Sequence, residues 1–577
     1  MNGGDIIGKI LQEKKVKYLF TLCGGHISPI IVGAKQNGIH IIDVRHEATA
    51  VFAADAMARF TGNPGVAVVT AGPGVTNSIS ALKNAQLAES PVILLGGAVA
   101  TVLKGRGALQ DIEQLKLLET TVKWASKIEE NCDIVPILQE AFDVAQSGIP
   151  GPVFLECPID LLYDEELVRK WYNVESRRQN SIKQRLTGWY LRRHVDKLFA
   201  CSDTEMKSEE QETEIVPFHI DEEDLERALS QINNVEKPVM IIGSQAMIKV
   251  EEAENLSNAI VDLGIPVYLT GMARGLLGKD HSLYFRHKRT MALEEADLVI
   301  LAGMPQDFRL NYGRSINSKA YLISINRSEE ELKKNRRPDL AVQADSSYFL
   351  QMLIQEEQID KDFREWIKTL RVREQARMDE IEQFKRKKTE YINPLYLCQA
   401  IERVIDEDSI IVVDGGDFIA TASYILRPTG PLRWIDAGIF GTLGAGAGFA
   451  LTAKLLNPNS EVWLLYGDGA AGYSMAEFDT FARHNIPIIS IIGNDGGWTQ
   501  IQRDQVKYLG DDVATTLKRN DYHIVAKGYG AEGLFVNDPK NLMDILNEAK
   551  MLNKKGRSVL INALIGKTDF REGSISM

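Results

Sequence analysis

Two strand ends carry the strongest chemical signal in this chain. The apolar run VWLLY ends in Gly467-Asp468-Gly469, and a second, IPIISII, ends in Gly493-Asn494-Asp495. Both have the composition of buried parallel strands, and in an open parallel sheet ligands bind beyond the carboxyl ends of the strands. The two ends therefore face one crevice. Glycines there let the backbone approach a diphosphate, and the start of a following helix favours its negative charge. A hard cation with oxygen ligands would bridge protein carboxylate and phosphate oxygens.

A second group of reactive residue types lies near the amino end. His46 and Glu47 follow a strand-like run ending at Val44, and Glu47 opens an alanine-rich helix. A lone glutamate at a helix start is ordinarily a partner for the helix dipole. Here Ala48, Ala50, Val51 and Phe52 leave little water, and burial would favour a protonated or proton-sharing carboxyl. His26 sits in the Gly-rich loop CGGHISP and Gln110 in a second loop, RGALQD. An isolated histidine is more often structural, but a neutral one near its reference pKa is a suitable proton shuttle. DGGDF (414–418) ends a further strand and places Asp417 and Phe418 beside the diphosphate crevice. Trp498 and Gln500 are candidates for the substrate entrance, Trp498 equally for a core anchor.

The elements that must position these residues repeat one rhythm three times. Apolar runs at Lys17–Leu22, Ile39–Val44, Gly65–Thr70, Pro91–Gly96 and Pro152–Glu156 alternate with helix-like stretches. The pattern returns at Pro238–Gly243, Pro266–Thr270, Leu298–Gly303 and Ala320–Asn326, and again at Ile410–Asp414, Glu461–Gly467, Pro487–Asn494 and Ser558–Leu564. Continuous apolar strands flanked by Gly and Pro indicate parallel sheets with helices on both faces. The expected fold class is α/β, three successive parallel-sheet domains. Their boundaries read as 1–165, a linker at 166–220, 221–355, a solvated connecting helix within 356–390, and 391–577. Within the linker, SDTEMKSEEQETE (202–214) is acidic, and RLTGWYLRRHVDKLF (185–199) is basic and amphipathic. The latter reads either as a helix packed on the domain surface or as one lying on a membrane.

Composition excludes some classes. The chain has 577 residues, and a formal net charge of -13 argues against nucleic acid as the main partner. Its five cysteines show no metal-finger spacing and read as reduced thiols. No apolar run reaches the ~18 residues of a membrane span.

The run from Gly467 to Gly497 resembles the GDG-to-asparagine motif of thiamine-diphosphate enzymes. RHE, GPGVTN and SPVILL resemble the pyrimidine-binding domain of the acetohydroxyacid synthase group, and GGHI resembles the GAHI loop of benzaldehyde lyase. FTLCGGHISP, RHEATAVFAADAMAR, GMARGLLG, GPLRWIDAGIFGTLGAGAGFAL, GNDGGWTQI and the tail TDFREGSISM resemble most closely the acetolactate-synthase-like, 2-hydroxyacyl-CoA lyase type 2 group. The resemblance implies thiamine diphosphate and Mg2+ as cofactors, with Asp468, Asp495 and the Gly497 carbonyl as metal ligands. Asp495 stands where the family usually has asparagine, at the family's spacing of 495 − 468 = 27 residues from the first ligand. Gly469 and Ala470 would lie against the diphosphate. Leu443 would be the apolar wedge that keeps the cofactor folded, and the Gly441 carbonyl would accept from its aminopyrimidine. Glu47 would hydrogen-bond the pyrimidine ring nitrogen and promote its imino tautomer. His26 and Gln110 would manage protons on the substrate hydroxyl.

The reaction so implied is cleavage of a long-chain 2-hydroxyacyl-CoA to formyl-CoA and an aldehyde one carbon shorter. The competing readings are an acetohydroxyacid synthase joining two 2-oxoacids and a catalytically silent scaffold. Central domains of relatives bind FAD or the adenine portion of CoA, making Arg274, Arg309 and Arg327 candidates for CoA phosphates. The resemblance further implies a homodimer or homotetramer, because the matching Glu and Asp come from different subunits. It implies a place at the cytosolic face of the endoplasmic reticulum membrane; the chain as given lacks an anchor and reads as cytoplasmic, with peripheral membrane contact through 185–199 possible.

Overall fold

The structure is a computed structural model that describes residues 2–174, 182–200, 218–356, 359 and 361–573. The chain divides into two compact units, Met1–Ala58 with Asn63–Ile215, and Arg59–Gly62 with Val216–Met577.

The first unit is built on β1 (Tyr18–Thr21), β2 (His40–Asp43), β3 (Gly65–Val69), β4 (Val92–Ala98), β5 (Trp124–Lys127) and β6 (Val153–Pro158). They form a parallel sheet in the order β2-β1-β3-β4-β6-β5. Every residue of β3, β4 and β6 is buried, which is why these strands are continuous apolar runs and not alternating ones. One face packs Leu19, Val68, Leu95 and Val153 against Ile7, Leu11, Ile30 and Leu138 from the covering helices. The helices Gly3–Glu13 and Ser28–Gln36 approach closely through glycines: a side chain at Gly8 would stand 2.4 Å from the Gly33 carbonyl.

The second unit contains two more six-stranded parallel sheets. The central one comprises β7 (Pro238–Ile242), β8 (Val267–Leu269), β9 (Tyr284–Phe285), β10 (Leu298–Ala302), β11 (Tyr321–Asn326) and β12 (Leu340–Gln343), ordered β12-β11-β10-β7-β8-β9. The last comprises β13 (Ile410–Val413), β14 (Trp434–Ile435), β15 (Val462–Gly467), β16 (Ile489–Asn494), β17 (Glu532–Val536) and β18 (Val559–Leu564), ordered β14-β13-β15-β16-β18-β17. The expected α/β class of three parallel sheets therefore holds. Strand order reverses between β1 and β3, between β7 and β10, and between β13 and β15. Such switch points open a crevice at the carboxyl ends of the strands.

The helix Arg364–Arg386 is not merely solvated: Trp366 and Leu370 enter the central core, and the Trp366 indole donates to the Pro238 carbonyl at 3.0 Å. Farther along, its Ile381 packs with Leu395 and Phe570. Cys23, Cys157 and Cys398 are free thiols, but Cys132 is disulfide-bonded, which corrects the reduced reading at that position. Cys201, the acidic segment 202–214 and the last four residues of the tail motif lie outside the described residues. No described helix is long and apolar enough to cross a membrane.

Candidate active site

In the first unit the singled-out residues gather at the carboxyl ends of β1 to β4. Glu47 begins the helix Glu47–Thr61 directly after β2, and the His46 ring accepts from the Ala48 N–H at 3.1 Å. The Glu47 side chain is buried, and its Oε2 accepts from Asn77 Nδ2 at 3.0 Å. His26, in the loop after β1, faces across the switch point: its Nδ1 lies 3.2 Å from Thr70 Oγ1 at the end of β3. Burial pushes its pKa down and keeps the ring neutral. Glycine at 97 makes room for it, since a side chain there would meet His26 Cβ at 2.6 Å. Gln110 has a positive φ of 67° and backs onto Gly72.

His26 and Gln110 thus both meet the start of the segment Thr70–Asn77, to which Glu47 is tied at its far end. The buried bonds of this region belong to a residue that sequence reading passed over. Gln114 Oε1 accepts from Gly72 N at 2.9 Å, while its Nε2 donates to Gly97 O at 3.2 Å and Glu156 Oε2 at 2.8 Å. Asn77 was visible in GPGVTN, but nothing local marks Gln114.

In the last sheet, Asp468 follows β15 and Asp495 follows β16, both buried. Asp468 Oδ2 accepts from Gly496 N at 3.0 Å and Gly497 N at 3.1 Å, and Oδ1 from Gly469 N at 3.0 Å. Burial, aided by the charge of Asp495, pushes Asp468 up to about 7 despite these donors. Burial also raises Asp495. Two buried carboxylates, both held above their ordinary range by burial and Asp468 further by the charge of Asp495, lie beside the Gly497 backbone and form an oxygen donor set that fits a hard divalent cation.

The surrounding backbone forms a glycine cradle. Gly416 has φ 119°, and a side chain on it would stand 3.1 Å from Gly467 Cα across the β13–β15 switch point. Leu443 folds over Gly415, where a side chain would collide with its Cδ2 at 2.0 Å. This turn is pinned by Asp414, a residue not singled out from sequence. Its buried carboxylate accepts from Gly444 N at 3.0 Å and Gly446 N at 2.9 Å, and burial pushes it up to about 6. Gly441 lies two residues before Leu443, at φ 64°. Ala470 is buried in the short helix Asp468–Ala471.

Two expectations change in detail. The Phe418 ring lies in the hydrophobic core beneath Gly493, so only its backbone can face a diphosphate. The Asp417 carboxylate pairs with Arg503 at 2.7 Å, which offsets the repulsion it would exert on an anion. What this segment can offer is the start of the helix Asp417–Ile425. Trp498 packs its indole on Gly469, where a side chain would come within 2.5 Å, and so walls the loop that follows Asp468. Gln500, two residues on, is half-buried in the helix Thr499–Leu509.

The arginines of the central domain already have protein partners. Arg309 Nε and Nη2 grip Asp307 at 3.0 and 2.7 Å, and buried Arg327 pairs with Asp345. Arg274 donates to the Ser423 carbonyl at 3.1 Å and covers the Trp434 ring.

Family models for thiamine pyrophosphate enzymes match this chain in three places. The N-terminal TPP binding domain matches residues 1–117, the central domain 225–353, and the C-terminal TPP binding domain 414–563. The chain belongs to the thiamine pyrophosphate enzyme family. Its two TPP binding domains contain the Glu47 and the Asp468–Asp495 clusters respectively, and thiamine pyrophosphate is its cofactor. Among similar members of this family, "2-hydroxyacyl-CoA lyase 2" of Danio rerio is 46% identical over 590 residues, covering 100% of this chain and 93% of that one. The Homo sapiens protein of the same name is 44% identical, covering 100% and 92%. "Probable acetolactate synthase" of Mycobacterium bovis is 30% identical, covering 95% and 93%.

Proposed function

We propose that this chain is a thiamine-diphosphate-dependent carbon–carbon lyase acting on a 2-hydroxyacyl-CoA, with a long acyl chain. The observation that carries this reading is the full-length likeness, at 44% to 46% identity, to proteins named for that activity. The bond between the thioester carbonyl carbon and C2 breaks. The C2 hydroxyl loses its proton to become the carbonyl of an aldehyde one carbon shorter, and the thioester carbon gains a proton to leave as formyl-CoA.

The bound cofactor supplies an electron sink beside the thioester carbonyl. The chain's own residues hold and move protons around it. His26, neutral and backed by Thr70, is the base for the substrate hydroxyl. Gln110 lies against Gly72, in the same loop as Thr70, and would orient that hydroxyl. Glu47, oriented by Asn77, would hydrogen-bond the pyrimidine ring nitrogen. Asp468, Asp495 and the Gly497 carbonyl would hold Mg2+ on the diphosphate, and Leu443 would keep the cofactor bent. The active form is proposed to be a homodimer or homotetramer, to be checked by sedimentation velocity. Motif resemblance supports a place at the cytosolic face of the endoplasmic reticulum membrane, to be checked by cell fractionation.

The test is turnover of a long-chain 2-hydroxyacyl-CoA with thiamine diphosphate and Mg2+, with pyruvate offered in parallel. Formyl-CoA and aldehyde from the wild type, absent in Glu47→Gln and strongly reduced in His26→Ala, are expected. Acetolactate from pyruvate without cleavage would transfer the assignment to the synthase reading that the mycobacterial relative supports. Cofactor binding with turnover of neither substrate would favour a silent scaffold.

A further inference from the structure

The helix Ile182–Leu198 presents two faces of different character. On one, Val195 packs with Val168 and Val174, with Leu191 against them, and Leu198 is buried as well. His194 Nε2 on the same side meets Thr101 Oγ1 at 2.8 Å, and Thr101 Oγ1 donates to Asp160 Oδ2 at 2.5 Å. These contacts fasten the helix to the first unit and fix its rotation.

At 3.6 residues per turn, Ile182, Leu186, Trp189 and Arg193 fall on the opposite side, with Tyr190 beside them. That side is open: Ile182 is 79% exposed, Leu186 64%, Trp189 59% and Tyr190 51%. A helix docked by one apolar face has no packing reason to carry a second. The second face is also basic. The helix has five Lys and Arg residues against one acid, Asp196, which pairs with Arg169 at 2.5 Å. Lys197 pairs with Glu130 and Arg192 donates to the Val174 carbonyl, whereas Lys183 and Arg185 are exposed and the Arg193 guanidinium lies 5.6 Å from the Trp189 ring centre. In a chain of net charge -13 this is a local reversal of sign.

We propose that this face binds an anionic lipid bilayer. The helix lies in the headgroup plane, with Ile182, Leu186 and Trp189 entering the acyl boundary and Lys183, Arg185 and Arg193 reaching lipid phosphates. Tryptophan and tyrosine suit that depth because each joins an apolar ring to a polar group. Apolar insertion and electrostatic attraction are both required for stable peripheral binding, and both are present. A second copy of the chain is the weaker occupant, because a two-fold contact would set one positive stripe against another.

The test is sedimentation of the full-length protein, loaded with thiamine diphosphate and Mg2+, with phosphatidylcholine vesicles with and without phosphatidylserine. Binding about tenfold stronger to the anionic vesicles, and weakened by salt, is expected. The double variants Leu186→Ser/Trp189→Ser and Arg185→Glu/Arg193→Glu should each lose about tenfold or more, while Trp189→Phe retains binding. All of these positions are exposed, so thermal unfolding should not change, and a variant that does unfold is replaced by Ile182→Ser alone. No binding to either vesicle, or unaltered binding by the double variants, would overturn the proposal. So would a loss of oligomer mass in those variants, which would assign the face to a second copy.

Discussion

Asp468 and Asp495 are buried together, and a proton would compete with the proposed cation for them. Because Asp468 titrates at about 7 without a cation, its charged form is lost as the pH falls below that value. Apparent Mg2+ or Mn2+ affinity, measured by calorimetry with thiamine diphosphate present, should fall about tenfold from about pH 8 to about pH 6. Asp495→Asn keeps an oxygen ligand but removes the neighbouring charge, so its pH dependence should be shallower. An equally steep profile in that variant would show that Asp495 does not act on Asp468. At the other cluster, Glu47→Gln keeps an acceptor for Asn77 while losing the carboxyl proposed to act on the pyrimidine ring. Turnover should fall by about 10²-fold or more with the melting temperature unchanged.

At the scale of elements, Asp414 joins the end of β13 to the turn that carries Leu443. Its folded pKa of about 6 lies above the ordinary value of 3.8, so the proton favours the folded state. The stability from its protonated form is complete below about pH 4 and lost as the pH rises through about 6. Between about pH 4 and about pH 7 the wild type should lose up to roughly 3 kcal/mol relative to Asp414→Asn, measured by urea unfolding. A constant difference between the two proteins would remove Asp414 from the pH response. The strands themselves divide sharply in how legible they were. Interior strands such as β4 and β15 are buried on both faces and appear as unbroken apolar runs. The strands that sequence reading missed, β5, β9, β12, β14 and β17, all sit at sheet edges or end a sheet. WASK in β5 is only partly buried, and LAVQ in β12 alternates between buried and exposed. Two-residue β9 and β14 are too short to leave a local pattern. An edge strand is held by its one neighbour, so its own sequence need not show the pairing.

For the whole molecule, the cofactor and the proposed cation would act as a single stabilising ligand. Binding to the folded state alone at 100 times the dissociation constant adds about 2.7 kcal/mol. The melting temperature should therefore rise with thiamine diphosphate plus Mg2+ and return to its starting value when a chelator is added. A full rise in the presence of chelator would show that the Asp468–Asp495 pair does not hold the diphosphate through a cation.

The sequence by itself determined the three-sheet architecture and the strand ends at which Glu47, His26, Asp468 and Asp495 stand. Those features are local: a strand buried on both faces must be apolar along its length, and catalytic residue types stand out where such a run stops. Only the tertiary structure decided the partners. Asn77 reaches Glu47 across 30 residues, Gln114 ties Gly72 to Glu156 across 42 on either side, and Arg503 takes the Asp417 carboxylate across 86. It also turned the Phe418 ring into the core and gave Asp414 its turn to hold. Parallel pairing brings together residues whose separation in sequence is set by the crossover helices between them, so no spacing within the chain encodes those contacts.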